Sequence, residues 1–334
     1  MAESIHDPSR RVLVVANPAS GSHSPRLVQD VHEMCVSRTQ YAKVHFTTSS
    51  GDATTFVRHA LEGPHRVDLV VVIGGDGTVC EVVQALEGPV PRASLAVVPG
   101  GTGNSGYKML WGERPWTVSL KAVLADAGAD GSARLRRLDL ARLAETGKCV
   151  YLGAGSGMIA ETLITVRRTP GHGRERYARA IAEVAAAYRA YPGRVTVDGH
   201  TLYEGPTLLV NVGGGRYRGG RFDVLPYTAL DDGLLDVCVV GSGIAATEVP
   251  RLMLTADHIG HPATLYARGR TITIERIDGG RLPLEHDGEY QEDIGASATF
   301  EVLPGRIAVW GPTADSGNLS PSPQLARCLR QRQK

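Results

Sequence analysis

The order of apolar and polar positions divides the chain into two textures. From Arg11 to about Leu124, short apolar runs alternate with stretches in which apolar residues recur every three or four positions. Val12–Ala16, Val44–Thr47, Leu69–Ile73 and Leu95–Val98 read as strands, the unbroken run Leu69–Ile73 as a buried one. Gln29–Val36, Thr54–Leu61 and Val79–Leu86 read as helices, the last with Val79, Val82, Val83 and Leu86 on one face. Thr78 and Glu81 have the spacing of a capping box, which predicts that this helix starts at Thr78. Alternating strands and helices imply a parallel sheet covered by helices, with ligands bound at the carboxyl ends of the strands.

After about Arg136 the chain becomes rich in strands. Leu138–Leu143, Cys149–Leu152, Val195–Val197, Thr207–Val212, Leu234–Val240, Thr271–Ile277, Thr299–Val302 and Ile307–Trp310 all fit. Thr271-Ile272-Thr273-Ile274 alternates cleanly. One helical insert, Ala178–Ala190, places Ile181, Ala182, Ala185 and Tyr188 on one face. This second half reads as a mainly antiparallel β domain with a helical excursion. The tail from Thr313 to Lys334 is polar, rich in Ser, Pro and Arg, and is expected to be disordered.

Composition narrows the function. The 334 residues suffice for two domains with real cores, and 42% apolar with 21% charged residues suits a globular protein. A net charge of +1 argues against bulk nucleic-acid binding. Five scattered cysteines without a CxxC pair point to free thiols in a reducing compartment rather than to disulfides or zinc. MAESIHDPSR lacks a signal-peptide core, and no apolar run approaches the ~20 residues that span a bilayer. The expected location is cytoplasmic or peripheral at a membrane, where any lipid would be met at the surface or after extraction.

The chemistry concentrates in the turns. Gly74-Gly75-Asp76-Gly77-Thr78 joins the third strand to its helix. Its glycines let a ligand approach the backbone, and a helix N-terminus favours an anion, so a phosphate is the natural guest. Asp76 would repel that phosphate unless a metal ion or a substrate hydroxyl came between them. Asn17-Pro18-Ala19-Ser20-Gly21, Thr47-Thr48-Ser49-Ser50-Gly51-Asp52-Ala53 and Pro99-Gly100-Gly101-Thr102-Gly103-Asn104 follow the other strands. Each alone reads as a plain loop. Together they line one edge of one sheet. Asp287-Gly288-Glu289 taken alone reads as a hairpin turn, and a simple turn is one of the readings open to Asp231-Asp232-Gly233.

NPxSG, TxxxGDA, GGDGTxxEV and PxGTxN, in that order and spacing, resemble the diacylglycerol kinase catalytic family, which includes soluble bacterial lipid kinases, sphingosine kinases and ceramide kinases. Asn211-Val212-Gly213-Gly214-Gly215, the run Ala229–Val237 and Asp287-Gly288-Glu289 resemble its later signatures. The similarity runs from about Val12 to Trp310. It implies an α/β N-terminal domain of the phosphofructokinase and NAD-kinase kind, a mainly antiparallel β C-terminal domain, and an active site in the cleft between them. The expected boundaries are 10–136 for the nucleotide-binding domain, with about 305–315 packing back on it, 137–304 for the acceptor-binding domain and 316–334 for the tail.

The resemblance also implies roles. ATP would contact Asn17, Pro18, Ala19, Ser20, Gly21, Thr47, Gly75, Asp76, Gly77, Thr78, Val79, Cys80, Glu81 and Thr102. A structural Mg2+ would be held by the carbonyls of Ala229 and Leu234 and the side chain of Asp232, oxygen ligands suited to that ion. Asp287 matches the general base, with Glu289 beside it, and Asp76 would position magnesium or the acceptor. Ser105 stands where relatives commonly carry Asp, Cys80 where they often carry Asn, and His286 precedes the Asp287 motif.

The expected activity is ATP- and magnesium-dependent phosphorylation of a hydroxyl on diacylglycerol or a sphingoid-like lipid. A kinase of a non-lipid alcohol and a nucleotide-binding protein that has lost transfer are the alternatives. Expected partners are the lipid or other alcohol, a transient membrane surface and a second copy in a homodimer, with no nucleic acid. Arg167, Arg168, Arg174, Arg176, Arg179, Arg189 and Arg194 could meet anionic head groups at about 1 kcal/mol each. A solvated helix face is the preferred reading of that cluster.

Overall fold

Short apolar runs, too brief for helices and rich in valine, become the parallel strands of the first unit. A computed structural model describes residues 10–21, 24–39, 41–65, 67–125 and 132–313. The tail expected to be disordered lies outside the described residues from position 314 onward. The chain forms two compact units. One contains the described residues up to Leu140 together with the segment that begins at Pro304, and the other is Ala141–Leu303.

The first unit alternates as its pattern predicts: β1 (Arg11–Ala16), α1 (Pro25–Val36), β2 (Tyr41–Phe46), α2 (Asp52–Glu62), β3 (Leu69–Gly74), α3 (Asp76–Leu86) and β4 (Ser94–Pro99). Two further short helices, α4 (Ser105–Trp111) and α5 (Trp116–Leu124), lead towards β5 (Ala133–Leu143). The strands are parallel in the order β2-β1-β3-β4. All six residues of β3 are buried, as a central strand covered on both faces requires. Because β1 lies between β2 and β3, the loops after β1 and β3 leave the sheet in opposite directions. Their divergence opens a crevice at the carboxyl ends of the strands, where such sheets bind ligands.

The expected helix start at Thr78 is corrected: α3 begins at Asp76 with Gly75 as its cap, and no side-chain capping bond forms there. Thr78 and Glu81 are both engaged by more distant parts of the chain, which outcompete the local box.

The second unit opens with β6 (Cys149–Val150) and β7 (Ala154–Gly157), followed by two helices, α6 (Met158–Arg168) and α7 (Gly173–Ala187). The single insert expected over Ala178–Ala190 is therefore a helical pair. α7 buries Ala180, Val184 and Ala185, whereas Ala182 is exposed. Then come β8 (Tyr191–Val197), β9 (His200–Gly213), the small hairpin β10 (Tyr217–Arg218) and β11 (Phe222–Asp223), β12 (Leu235–Gly241), α8 (Val249–Leu254), β13 (Thr264–Gly269) and β14 (Thr271–Arg276). The last elements are β15 (Leu284–His286), β16 (Glu289–Tyr290) and β17 (Ser297–Pro312).

Pairing within the second unit is antiparallel. The first half of β9 pairs with β8, and its second half runs between β7 and β12. Residues of β9 and β12 alternate between two cores. Val210, Val212, Val237 and Val239 pack with Val195, Ile272, Ile274 and Phe300. Leu209, Cys238 and Val240 pack with Met158, Val184 and Met253 of the helices. With both faces covered, β12 is buried along its whole length.

Thr299–Val302 and Ile307–Trp310, expected as separate strands, are parts of the one long strand β17. Its start pairs with β14, and its end adds in parallel to β4 through Ala308 and Val309. The Pro304-Gly305 dipeptide suggests a break. Gly305 instead takes φ of +58° and its N–H donates to Asp139 of β5 at 2.8 Å, so the strand continues.

Candidate active site

In the first unit, side chains from three loops lock together at the sheet's carboxyl edge. The loop after β1 is folded by Asn17, whose side-chain oxygen accepts the Ala19 N–H at 2.9 Å and whose carbonyl accepts the Ser20 hydroxyl at 2.8 Å. The Asn17 amide donates to the Thr78 hydroxyl at 2.9 Å, fixing this loop to the first turn of α3. Pro18 and Ala19 are exposed at its tip. Gly21 lies against Thr102: a Cβ there would be 2.8 Å from the Thr102 hydroxyl. The loop after β4 passes as close to the loop after β3, since a Cβ on Gly101 would be 2.4 Å from the Cα of Gly75.

Gly77 behaves differently. It is exposed, and a Cβ there would meet nothing within 4 Å. The first helical bond of α3 is Val79 N–H to the Gly75 carbonyl at 3.1 Å. The N–H groups of Asp76, Gly77 and Thr78 precede it and have no partner one turn back, as at every helix start. Backbone donors, a favourable dipole and open space above Gly77 therefore coincide, and this combination fits a phosphate.

Asp76 has a defined local task. Its two oxygens accept the N–H groups of Ser105 and Gly106, each at 2.9 Å. These are the first residues of α4, so Asp76 caps that helix from 29 positions away. Asn104 prepares the entry in a left-handed conformation with φ of 55°, and its side chain bonds both the N–H and the carbonyl of Gly101 at 2.8 Å. Each Asp76 oxygen keeps a second acceptor position.

The remaining expected nucleotide contacts differ in what they offer. Val79 and Cys80 are buried, and the Val79 N–H is used within the helix. Glu81 accepts the Ala53 N–H at 3.2 Å, while its carbonyl accepts the Thr54 hydroxyl at 2.7 Å, so it braces α3 against the start of α2. Thr47 is buried and its N–H donates to the Ala16 carbonyl at 2.9 Å. Asp52 collects the Thr48 N–H at 2.7 Å, and that bond above all holds its carboxyl below the usual range.

The second unit places Asp287 and Gly288 as the two-residue turn between β15 and β16, with φ of +52° and +86°. This is the hairpin that Asp-Gly favours. The turn also does more than reverse the chain. The Asp287 carboxylate, only 5% exposed, accepts the N–H groups of Tyr151 at 2.9 Å, Leu152 at 2.7 Å and Gly153 at 3.3 Å. Its own N–H donates to the Gly153 carbonyl at 2.9 Å. Two of the side-chain bonds fall on Oδ1 and one on Oδ2, so Oδ2 has the freer lone pair. His286 Nδ1 lies 3.6 Å from Oδ2. Glu289 is exposed beyond the turn.

Two residues without an assigned role sit beside this turn, Glu285 and Asn211, the latter the first residue of the Asn211–Gly215 signature. Glu285 is buried, and its Oε2 accepts the Gly288 N–H at 3.0 Å, which steadies the Asp287 hairpin. Burial pushes its carboxyl up to about 7, against the opposing pull of Arg218. In the sheet, Glu285 pairs with Gly155, which pairs with Asn211. A Cβ at Gly155 would lie 2.8 Å from Glu285 Oε1, so glycine there makes room for the Glu285 carboxylate. Glu285 Oε1 and both ends of the Asn211 amide have no hydrogen-bond partner among the described residues. A polar residue inside the apolar run Thr207–Val212 was the available signal for Asn211. Glu285 had none beyond its closeness to Asp287.

Of the implied magnesium ligands, Ala229 and Leu234 lie in the loop before β12. Asp232 is already engaged: Oδ1 accepts the Leu234 N–H at 3.1 Å, and Oδ2 is hydrogen-bonded to Arg268. The set does not fit magnesium while that ion pair stands. The arginine cluster is also largely committed. Arg167, Arg168 and Arg179 pair with Glu292, Glu183 and Glu175, and Arg194 with Glu204 and Glu275. Arg176 donates to the carbonyls of Val166 and Arg167. This favours the solvated-face reading.

Comparison with known proteins agrees with this geometry. Residues 11–132 match the diacylglycerol kinase catalytic domain, and residues 149–311 match the YegS C-terminal NAD kinase beta sandwich-like domain. A probable lipid kinase YegS-like of Pseudomonas savastanoi pv. phaseolicola is 30% identical over 289 residues, covering 85% of this chain and 88% of that protein. A diacylglycerol kinase of Bacillus subtilis is 27% identical over 290 residues, covering 84% and 90%. The crystal structure of a putative diacylglycerol kinase from Bacillus anthracis superposes with a TM-score of 0.69 at 25% identity, covering 90% and 96%. The chain belongs to the diacylglycerol kinase and YegS-like lipid kinase family. That family consists of kinases, so the chemistry to be explained is phosphoryl transfer.

Proposed function

We propose that this chain transfers the γ-phosphate of ATP to a hydroxyl of diacylglycerol or a sphingoid-like lipid. The observation that carries the reading is the start of α3, where the N–H groups of Asp76, Gly77 and Thr78 precede the first helical bond and Gly77 is exposed with open space at its Cβ position. These groups would cradle phosphate oxygens, with Asn17 and Thr78 holding the neighbouring loop in place. Magnesium arriving with ATP would neutralise phosphate charge and support the leaving group. Asp76 would orient that ion or the acceptor with the acceptor positions it does not spend on α4.

Asp287 would take the proton of the acceptor hydroxyl on Oδ2, while Oδ1 stays anchored by Leu152 and Gly153. Such a base typically contributes roughly 10²- to 10⁴-fold. Glu289 would orient the acceptor or its neighbour. The lipid assignment is supported by the names of the relatives. No helix among the described residues is long and apolar enough to cross a membrane, so the chain would meet a lipid without spanning a bilayer by a helix.

A non-lipid alcohol is the second reading, favoured by Ser105 at a position where relatives commonly carry Asp. The two are separated by incubating the chain with radiolabelled ATP, magnesium and a panel of lipids and small alcohols. Label in diacylglycerol or a sphingoid base supports the proposal. Label only in small alcohols replaces it with the second reading, and ATP binding without transfer to any acceptor replaces it with a nucleotide-binding role.

A further inference from the structure

The loop that runs from Ala229 into β12 packs two carboxylates near one another. Asp236 lies on β12 and is fully buried, while Asp232 lies in the turn just before it. A buried carboxylate is costly unless it is paired and hydrogen-bonded. In the family's bacterial relatives a magnesium ion would brace this turn. Here the bracing charge comes from within the chain.

We propose that Arg268 is the built-in counter-ion of this turn, its guanidinium joining Asp232 and Asp236 in place of a bound magnesium.

The register of the sheet delivers it. Arg268 on β13 is directly opposite Asp236 on β12. From there its Nε lies 3.3 Å from Asp236 Oδ1, and its Nη2 donates to Asp232 Oδ2. One planar group thus spans the strand and the turn, which suits a rigid fork of donors better than a flexible ammonium. The other partners are also in place. The Tyr266 hydroxyl donates to Asp236 Oδ1 at 2.6 Å, and the Leu234 N–H donates to Asp232 Oδ1 at 3.1 Å. Both Asp232 oxygens are therefore used, one of them by a cation.

Magnesium binds carboxylate oxygen at about 2.1 Å and tolerates little departure from octahedral geometry. To reach Asp232 it would have to displace Arg268 or stand beside it, and two cations on one carboxylate repel. Displacing the arginine would in turn leave buried Asp236 without its cation. Ion and arginine are thus alternatives, and the chain already carries the arginine. This inference concerns the fold of the second unit and stands whichever alcohol is phosphorylated.

The test uses the full chain without nucleotide, so that magnesium bound with ATP plays no part. Thermal unfolding is followed in EDTA and across a magnesium titration, and metal content is measured after purification without chelator. The wild-type Tm should be the same in EDTA and in millimolar magnesium, with no ion retained at one per chain. Arg268→Met should lower Tm by roughly 5 °C, the shift expected for loss of a partly buried ion pair in a unit of this size. Added magnesium should recover part of that loss. Arg268→Lys, which keeps the charge without the fork, should fall between the two.

A wild-type Tm that drops in EDTA and returns with magnesium would overturn the proposal. So would one magnesium retained per chain, or an Arg268→Met protein as stable as wild type in EDTA. Should Arg268→Met fail to fold, the wild-type melts and metal content decide the question unaided.

Discussion

Asp76 caps α4 through the N–H groups of Ser105 and Gly106, although the two segments are separated by the whole of α3 and β4. The residue expected to handle magnesium or acceptor therefore also shapes the loop after β4. Replacing it should cost stability as well as activity. Asp76→Ala leaves two donors without their anion, and bonds to a charged group contribute about 1.5–3 kcal/mol each before relaxation and water recover part. We expect a destabilisation of about 2 kcal/mol by chemical denaturation. A change within error would show that the cap does not stabilise the loop.

Gly77 and Gly101 make a matched pair for testing the proposed phosphate site. Gly77→Val adds a side chain into open space, so the fold should survive while ATP affinity drops at least about tenfold, equivalent to about 1.4 kcal/mol. Gly101→Ala forces a Cβ to 2.4 Å from the Gly75 backbone, so it should destabilise the first unit before any question of ligand arises. Calorimetric ATP titration alongside thermal melts reads both effects. Normal ATP affinity in Gly77→Val would move the nucleotide away from the start of α3.

Asp287→Asn separates anchoring from proton transfer. Asn tolerates the left-handed turn and keeps one oxygen for the N–H groups of Leu152 and Gly153, while its amide nitrogen cannot accept the Tyr151 N–H, so a modest loss of stability accompanies the change. The variant should fold and bind ATP as wild type does, yet lose roughly two to four orders of magnitude in turnover. Single-turnover transfer to the best acceptor is the measurement. Retention within a few-fold would leave Asp76 as the preferred base.

Glu285 makes a pH prediction whose sign is fixed by its environment. Burial raises its carboxyl from 4.5 to about 7, so the folded chain holds a proton there that the unfolded chain has released. Stability must then fall as pH rises from about 4.5 to 7. Asp236, raised to about 6 by burial, adds to the decline in the lower part of that window. Glu285→Gln keeps the shape and the acceptor for Gly288 but has no proton to lose. Its denaturation midpoint should decline less than the wild-type midpoint between pH 5 and pH 8. Parallel declines would show that Glu285 ionises without cost.

β1, β3 and β4 were legible because each is a short apolar run closed by a nearby glycine or proline, and burial follows from that directly, whereas β2 mixes polar and apolar residues and buries none of them. The glycine turn between β3 and α3 was legible as a strand-to-helix junction for the same reason. The start of α3 was misread because local spacing could not reveal that Asn17 takes the Thr78 hydroxyl and Ala53 takes the Glu81 carboxylate. Those competitors lie 61 and 28 positions away. The same blindness hid Arg268, whose partner Asp232 is 36 positions earlier and is met only once β12 and β13 pair. β17 was split in two because Pro304-Gly305 looks like a stop, whereas Asp139 and Arg137 of β5 hold the Gly305 N–H and carbonyl and the strand continues. α6 escaped notice because its buried residues Met158, Ala160, Thr165 and Val166 are too varied in polarity to mark a face.

The route of β17 has a consequence for how the chain comes off the ribosome. The free edge of β4 is covered by Ala308 and Val309, and the Trp310 indole donates to Ser94 at 3.0 Å. These residues are synthesised after the whole second unit. The nascent sheet of the first unit must therefore wait, with one edge unpaired, while some 160 later residues emerge and fold. An open edge of this kind is a template for pairing with another chain. Heterologous production that truncates the protein just before Ala308 would leave that edge permanently bare, and the product should partition into the insoluble fraction.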